Sequence, residues 1–383
     1  MKANKLFLLF LAVCLVFSLA ACGGGGGGSD TTADNGDDPA GGGNGGGNGG
    51  DNGGGSSAPA GPWLCFTALI AGSSISTTNQ GGTVTTSPGL EYSTDGEIWE
   101  PFILNTGNEA TNTRVPLANA GDKVYLRATG TNNSFSENLK YIKFTMEGSI
   151  AASGNIMSLL DKDCISKVIP SNYCFQYLFV GCNVLKTAPE LPATTLTYKC
   201  YYNMFYNCTA LTTAPDLPAT TLTAGCYWGI FSDCSSLAKA PALPATNLAE
   251  YCYCDMFRGC SALITAPSLP ATTLAEYCYS SMFSGCSALI TAPILPATDL
   301  GLANSCYKSM FSGCSKLSSI TVHFTAWDGA PNATSWWVDG VAASGEFHCC
   351  SNLVPNPSAP ANFDDSKVPA GWTIDNSLPN PAP

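Results

Sequence analysis

Cysteine is the residue in this chain whose chemistry and spacing coincide. Cys174, Cys200, Cys226, Cys252, Cys278 and Cys306 follow one another at intervals of 26, 26, 26, 26 and 28, and a second series from Cys182 to Cys314 keeps the same steps. Thiols at such intervals could close disulfides, hold a metal or pack as small apolar side chains. No Cys-x-x-Cys occurs, and the two histidines, His323 and His348, lie outside the repeating segment, so no metal site is expected. Gly-x-Ser-x-Gly, His-Glu-x-x-His and a phosphate loop are all missing. The chain reads as a non-enzyme without a cofactor.

Cys22 stands apart from the two series. Lys2 and Lys5 precede an apolar run, Leu6 to Leu19, and Leu19-Ala20-Ala21 leads directly into Cys22. Residues 1–21 have the form of a secretory signal, and Leu-Ala-Ala-Cys resembles a bacterial lipobox. That resemblance implies a Cys22 thiol carrying diacylglycerol and durable membrane anchoring by several acyl chains; the alternative is an ordinary signal peptide with an incidental cysteine. Residues 22–61 form the next segment, with 19 glycines among the 39 residues from Gly23 to Gly61 and no lysine or arginine there. Such a segment can bury nothing and serves as a flexible tether, with an end-to-end distance on the order of 35 Å.

The elements that must position the cysteines follow. Of the 383 residues only 11% are charged, and the net charge is −12, which argues against nucleic acid as a partner. Residues 62–150 alternate in short runs, Leu64 to Ile70, Leu90 to Ser93, Lys123 to Ala128 and Tyr141 to Met146, broken by turns at Asp95-Gly96 and Ala120-Gly121-Asp122. This predicts a small antiparallel β module. Trp99 in it reads as a core or interface aromatic, or else as a platform for a sugar ring. Residues 151–173 connect the module to six repeats over 174–317, and 318–383 close the chain.

Within each repeat, Thr195, Thr221, Asn247, Thr273 and Asp299 occupy equivalent places suited to capping a helix, and Glu250 and Glu276 would complete a capping box. Gly181, Asn207, Asp233, Gly259, Gly285 and Gly313 tolerate the left-handed conformation that ends one. The spacing predicts a short helix of about eleven residues, with Leu274, Cys278 and Met282 as its buried stripe and Tyr201, Tyr227, Tyr253, Tyr279 and Tyr307 along its flank. A short strand should follow, with Leu289 and Ala292 inward and Thr187, Thr213, Lys239, Thr265 and Thr291 outward. The proline after it in five copies, such as Pro293, removes a donor and limits each rung to two or three paired residues. Mid-helix and post-helix cysteines would sit too far apart for intra-repeat disulfides, so buried thiols are favoured, with bridges as the alternative in an exported protein.

Met-Phe-x-Gly-Cys-x-x-Leu and Ala-Pro-x-Leu-Pro-Ala-Thr-x-Leu resemble the motifs of BspA-type leucine-rich-repeat surface proteins of host-associated bacteria. Tyr92-Ser-Thr-Asp-Gly, Gly121-Asp-Lys-Val-Tyr and Gly154-Asn-Ile-Met-Ser-Leu-Leu160 resemble their preceding β module, and Trp337-Val-Asp-Gly-Val and Pro369-Ala-Gly-Trp372 their closing segment. The expected architecture is therefore an α/β solenoid of leucine-rich-repeat type, six units of short strand plus short helix. The resemblance implies a surface-exposed adhesion role but no ligand. Charges from Cys174 to Leu317 nearly cancel, so a contact face would be weakly salt-sensitive. The expected function is a lipid-anchored module on the outer surface of the cell envelope. It would bind a host or matrix protein or glycan through the threonine ladder and the tyrosines. The alternative is a stalk or coat without a ligand.

Overall fold

Alternation of inward apolar and outward polar side chains shapes the first part of the folded chain. The computed structural model describes residues 62–82, 84, 88–105, 112–327, 333–334, 337–353 and 368–380. All of them belong to one unit of the chain, residues 56–383. The expected signal peptide, Cys22 and the linker lie outside the described residues.

Four strands fall where the alternation placed them: β1 (Leu64–Ala68), β3 (Leu90–Ser93), β6 (Lys123–Ala128) and β8 (Lys140–Glu147). Five more, β2 (Ser73–Gln80), β4 (Glu100–Phe102), β5 (Val115–Leu117), β7 (Ser136–Glu137) and β9 (Ile150–Ser153), complete two antiparallel sheets of order β4-β3-β6-β1-β9 and β5-β2-β8-β7. The sheets share a core in which Phe66 of β1 meets Phe144 of β8 at 5.2 Å. The Asp95-Gly96 turn joins β3 to β4 as a hairpin; the Asp95 carboxylate accepts from the amides of Glu97 and Ile98. Those amides hold it below the usual carboxylate range.

The module docks on the repeats through its backbone. Phe135, Phe144, Ile150 and Ala152 donate their amides to Cys174, Leu178, Val184 and Thr187. One apolar cluster runs from Leu64 through every repeat to Trp372.

The repeats correct the expected architecture. Among the described residues there is no α-helix; the single helical turn is a 3-10 turn, Ile156–Leu159, capped by Asn155. The α/β solenoid of leucine-rich-repeat type, with a helix in each unit, is not formed. The reason is visible in the backbone. Tyr251, Tyr253, Asp255, Phe257 and Gly259 donate to Glu276, Cys278, Ser280, Met282 and Ser284 in the next unit, while Cys252, Cys254, Met256, Arg258 and Cys260 donate three residues back along their own chain. A helix would direct every amide four residues back. This alternation is possible because a left-handed residue recurs every fourth position: Tyr251, Asp255 and Gly259, then Tyr277, Ser281 and Gly285. Each segment expected to be helical is therefore a run of successive turns whose free amides bind the segment beside it. The six predicted helix stops do adopt positive φ, but they end no helix.

The expected caps fare similarly. Asn247 pairs with Thr221 on one side and Thr273 on the other as isolated parallel bridges, so these side chains mark extended rungs rather than helix starts. Thr195 bridges Val168. Asp299 alone keeps a cap-like bond, accepting from the Gly301 amide. The ladder of Thr187, Thr213, Lys239, Thr265 and Thr291 is in register, each rung making one isolated bridge where two or three paired residues were expected. The proline two residues on stops the pairing sooner than anticipated.

Past the repeats, Ile320, Val322 and Phe324 turn inward and are fully buried, as their alternation predicts. Three parallel strands, β10 (Ser319–Thr321), β11 (Glu346–Cys350) and β12 (Thr373–Leu378), continue the stack in the order β10-β11-β12.

Candidate functional site

The face defined by the ladder is the more exposed of the two periodic faces that the sequence offers. Thr213, Lys239, Thr265 and Thr291 are exposed, and Thr187 is half-buried because its hydroxyl donates to the Ala152 carbonyl at 2.8 Å. Behind each of these positions runs Pro-rich extended coil, and the coils of adjacent units leave shallow grooves between them. One groove, of about 560 Å³, carries Lys167, Glu190 and Asp216 on its walls; another, of about 690 Å³ and two units further on, is lined by Pro241, Leu243, Pro244, Pro267 and Pro270 beside Lys239. Ile264 and Ile290, each directly before a ladder residue in the chain, and Ile294 are exposed. The face thus changes from charged near the β module to apolar toward the C-terminal end.

The tyrosines expected beside this ladder lie elsewhere. Tyr201, Tyr227, Tyr253, Tyr279 and Tyr307 are at most 1% exposed. They stack almost parallel in a column, with centroids 5.8, 6.0, 6.0 and 5.9 Å apart. A helix would turn Tyr279 about 100° from Cys278, whereas the four-residue turn period buries both. As placed, these rings touch each other and no solvent. Burial pushes their phenols well above the ordinary value, and the hydroxyls of Tyr201, Tyr279 and Tyr307 have no hydrogen-bond partner.

All seventeen described cysteines carry free thiols, and all but Cys164 are buried. Cys208, Cys234, Cys260, Cys286 and Cys314 each donate Sγ–H to a phenylalanine carbonyl of the preceding unit, from Phe179 through Phe283, at 3.0 to 3.2 Å. The thiols are small core residues with a specific hydrogen bond, which spacing could not reveal. Desolvation raises those of Cys182, Cys226, Cys234, Cys306 and Cys314 to about 12 and that of Cys164 to about 11. Because only thiolate reacts readily, brief alkylation of the native, unreduced protein at neutral pH should modify Cys164 slowly and the other sixteen only after denaturation. Peptide mass spectrometry showing bridged pairs, or quick labelling of the Cys208 series, would contradict this.

Two polar clusters lie outside the repeats. Trp99 packs edge-on against Trp63 at 4.9 Å, and the Arg127 guanidinium lies 3.6 Å from the Trp99 centroid while its Nε binds Glu91 at 2.7 Å. This arrangement supports the interface reading of Trp99 over a bare sugar platform, since a cation already occupies the ring. His348 stands between Glu346 at 3.4 Å and Asp375 at 3.1 Å, a juxtaposition made by the β11–β12 register that sequence reasoning missed. The Ser377 and His348 contacts hold the Asp375 carboxyl below its ordinary value. No group of three or more potential metal ligands occurs among the described residues. Set against models of known families, curated proteins and solved structures, the chain matches none.

Proposed function

We propose that this chain is a displayed binding module whose contact surface is the face carrying Thr187, Thr213, Lys239, Thr265 and Thr291. The observation that carries the reading is the register: one outward side chain per rung, repeated at about 4.8 Å, over rigid neighbours held unit to unit by backbone hydrogen bonds. Such a face suits a repetitive partner, a matrix protein or a glycan, and uses Thr and Pro surface more than charge. The signal-like residues 1–21, Cys22 and the glycine-rich segment support export and tethering to the bacterial envelope. The likeness of the quoted motifs to BspA-type surface proteins points the same way.

The test must change the face without straining the stack. Thr213→Glu and Thr265→Glu place carboxylates on the rungs either side of Lys239, so the new charges attract across rungs instead of repelling. With Thr291→Lys added, the alternation continues. Binding of the full chain to immobilised matrix proteins and glycans is expected to fall about tenfold or more, as when a polar contact becomes a mismatched charge, with the melting temperature unchanged. Undiminished adhesion by the folded triple variant would remove the ladder from consideration as the contact surface.

A further inference from the structure

A second stacked surface lies on another edge of the repeats, and its chemistry is different. Tyr202, Trp228, Tyr251 and Tyr277, all half-buried, form a continuous outer ladder. Tyr202 meets Trp228 edge-on at 5.2 Å; Trp228 and Tyr251 stack at 4.7 Å and 11°, and Tyr251 and Tyr277 at 4.6 Å and 8°. None of these is one of the five column tyrosines. The left-handed backbone at Tyr251 and Tyr277 turns their rings outward, away from the core column beside them.

This ladder already holds one cation. The Lys199 ammonium sits 4.7 Å from the Trp228 centroid and 5.2 and 5.3 Å from Tyr198 and Tyr202. At the other end the next unit carries Ser305 where Tyr277 and Tyr251 stand, and among the described residues no ring or ammonium is recorded against the far side of Tyr277. Acidic groups crowd that end. Glu250 and Glu276 are exposed on successive rungs, joined through the Tyr251 amide bonding to the Glu276 carbonyl. Both raise the Tyr251 phenol, after the larger effect of its burial. Asp255 accepts from the Trp228 indole at 3.0 Å. None of the three carboxylates joins an ion pair among the described residues. Like charges held on adjacent rungs are unfavourable, so the chain maintains here an aromatic and acidic edge that no ion pair among the described residues neutralises.

We propose that the edge formed by Trp228, Tyr251, Tyr277, Glu250, Glu276 and Asp255 is a docking surface for a basic polypeptide segment. An arginine of the partner stacks on Tyr277 as Lys199 lies over Trp228, and its neighbours pair with Glu250 and Glu276. Guanidinium fits better than ammonium because it stacks on a ring and bonds a carboxylate at once. This surface is independent of the threonine ladder and, unlike it, depends on charge.

The probe is a short fluorescein-labelled peptide of alternating arginine and glycine, titrated by anisotropy against the full chain at low and physiological ionic strength. Glu250→Gln with Glu276→Gln should weaken binding about tenfold, in line with loss of close charge pairs. Glu190→Gln with Asp216→Asn removes the same net charge from the ladder-face groove and should change little. Tyr277→Leu should weaken binding at both ionic strengths. If that variant does not fold, the near-isosteric glutamine pair still decides. Equal losses from the two charge pairs would mean attraction by net charge alone and would overturn the proposal. So would equal affinity for an uncharged glycine-serine peptide, or tetramethylammonium competing as effectively as the arginine peptide, which would mark a small-cation site.

Discussion

Replacing Phe257 with alanine is expected to cost about 3 to 5 kcal/mol of stability. Phe257 is fully buried and stacked between Phe231 and Phe283 at 5.9 and 5.7 Å. Its neighbours cannot collapse into the space, because the Phe257 amide binds Met282, the Phe231 amide binds Met256 and the Cys286 thiol binds the Phe257 carbonyl. A cavity that cannot relax places the cost toward the upper end of that range. The companion variant is Tyr279→Phe in the parallel column. The Tyr279 hydroxyl is buried without a partner, so its removal should be neutral or raise stability by about 1 kcal/mol, since an unsatisfied buried hydroxyl costs roughly 1 to 3 kcal/mol. Urea titration of both proteins gives the comparison. A Phe257→Ala cost below about 1 kcal/mol, within the range of ordinary surface changes, would show that the aromatic column does not bear the fold. A clear loss in Tyr279→Phe would show that its hydroxyl is satisfied after all.

The second large effect is expected at Gly154, where the β module meets the first repeat. Its φ is +72°, and an added Cβ would lie 1.9 Å from the Trp63 carbonyl oxygen, a backbone atom that cannot step aside. The same carbonyl region is held by the Asn155 amide bonding to Pro62 and by the parallel bridge from Trp63 to Asn155, while Gly154 accepts from the Glu190 amide. Gly154→Ala must therefore displace β1 or the first repeat. We expect a loss of about 3 kcal/mol or more, combining left-handed strain with a backbone clash. Gly121→Ala separates the two contributions. Gly121 also has positive φ, +93°, but nothing lies within 4 Å of where its added Cβ would stand, so only the strain of about 1 to 2 kcal/mol applies. Thermal melts followed by tryptophan fluorescence, which senses Trp63 and Trp99, should rank Gly154→Ala well below Gly121→Ala. Equal melting temperatures for the two variants would mean that the close approach at Trp63 carries no energy.

Much of the local structure was legible. β3 and β6 begin and end where alternation placed them, and Ile320, Val322 and Phe324, which alternate along the chain, are buried. β2 was not, because Ser73 and Thr77 flank the lone apolar Ile75 at its inward positions and give no apolar alternation. Their burial depends on the neighbouring strands β5 and β8, which lie far away in sequence.

By itself the sequence determined the six-fold period, the outward ladder and the left-handed positions at Gly181, Asn207, Asp233, Gly259, Gly285 and Gly313. The ladder and the left-handed positions follow from residue type at single sites, a threonine or lysine two before a proline, or a glycine, asparagine or aspartate where φ must be positive, and the period follows from their recurrence. It did not determine whether Cys-Tyr-x-x-Met-Phe-x-x-Cys is a helix. Over two periods a repeat of 4 and one of 3.6 differ by less than one residue, so both bury the same cysteine and methionine. Gly225 and Gly229 in the third copy each weaken a helix by about 1 kcal/mol, but such a propensity is overridden easily. The tertiary structure decided the matter, because the amides of Tyr251, Tyr253 and Asp255 find acceptors only when the next unit is already beside them. That choice moved Tyr279 and its equivalents into the core and turned Tyr251 and Tyr277 out. Which tyrosines can meet a partner therefore depends on hydrogen bonds between units, and no single unit's sequence contains them.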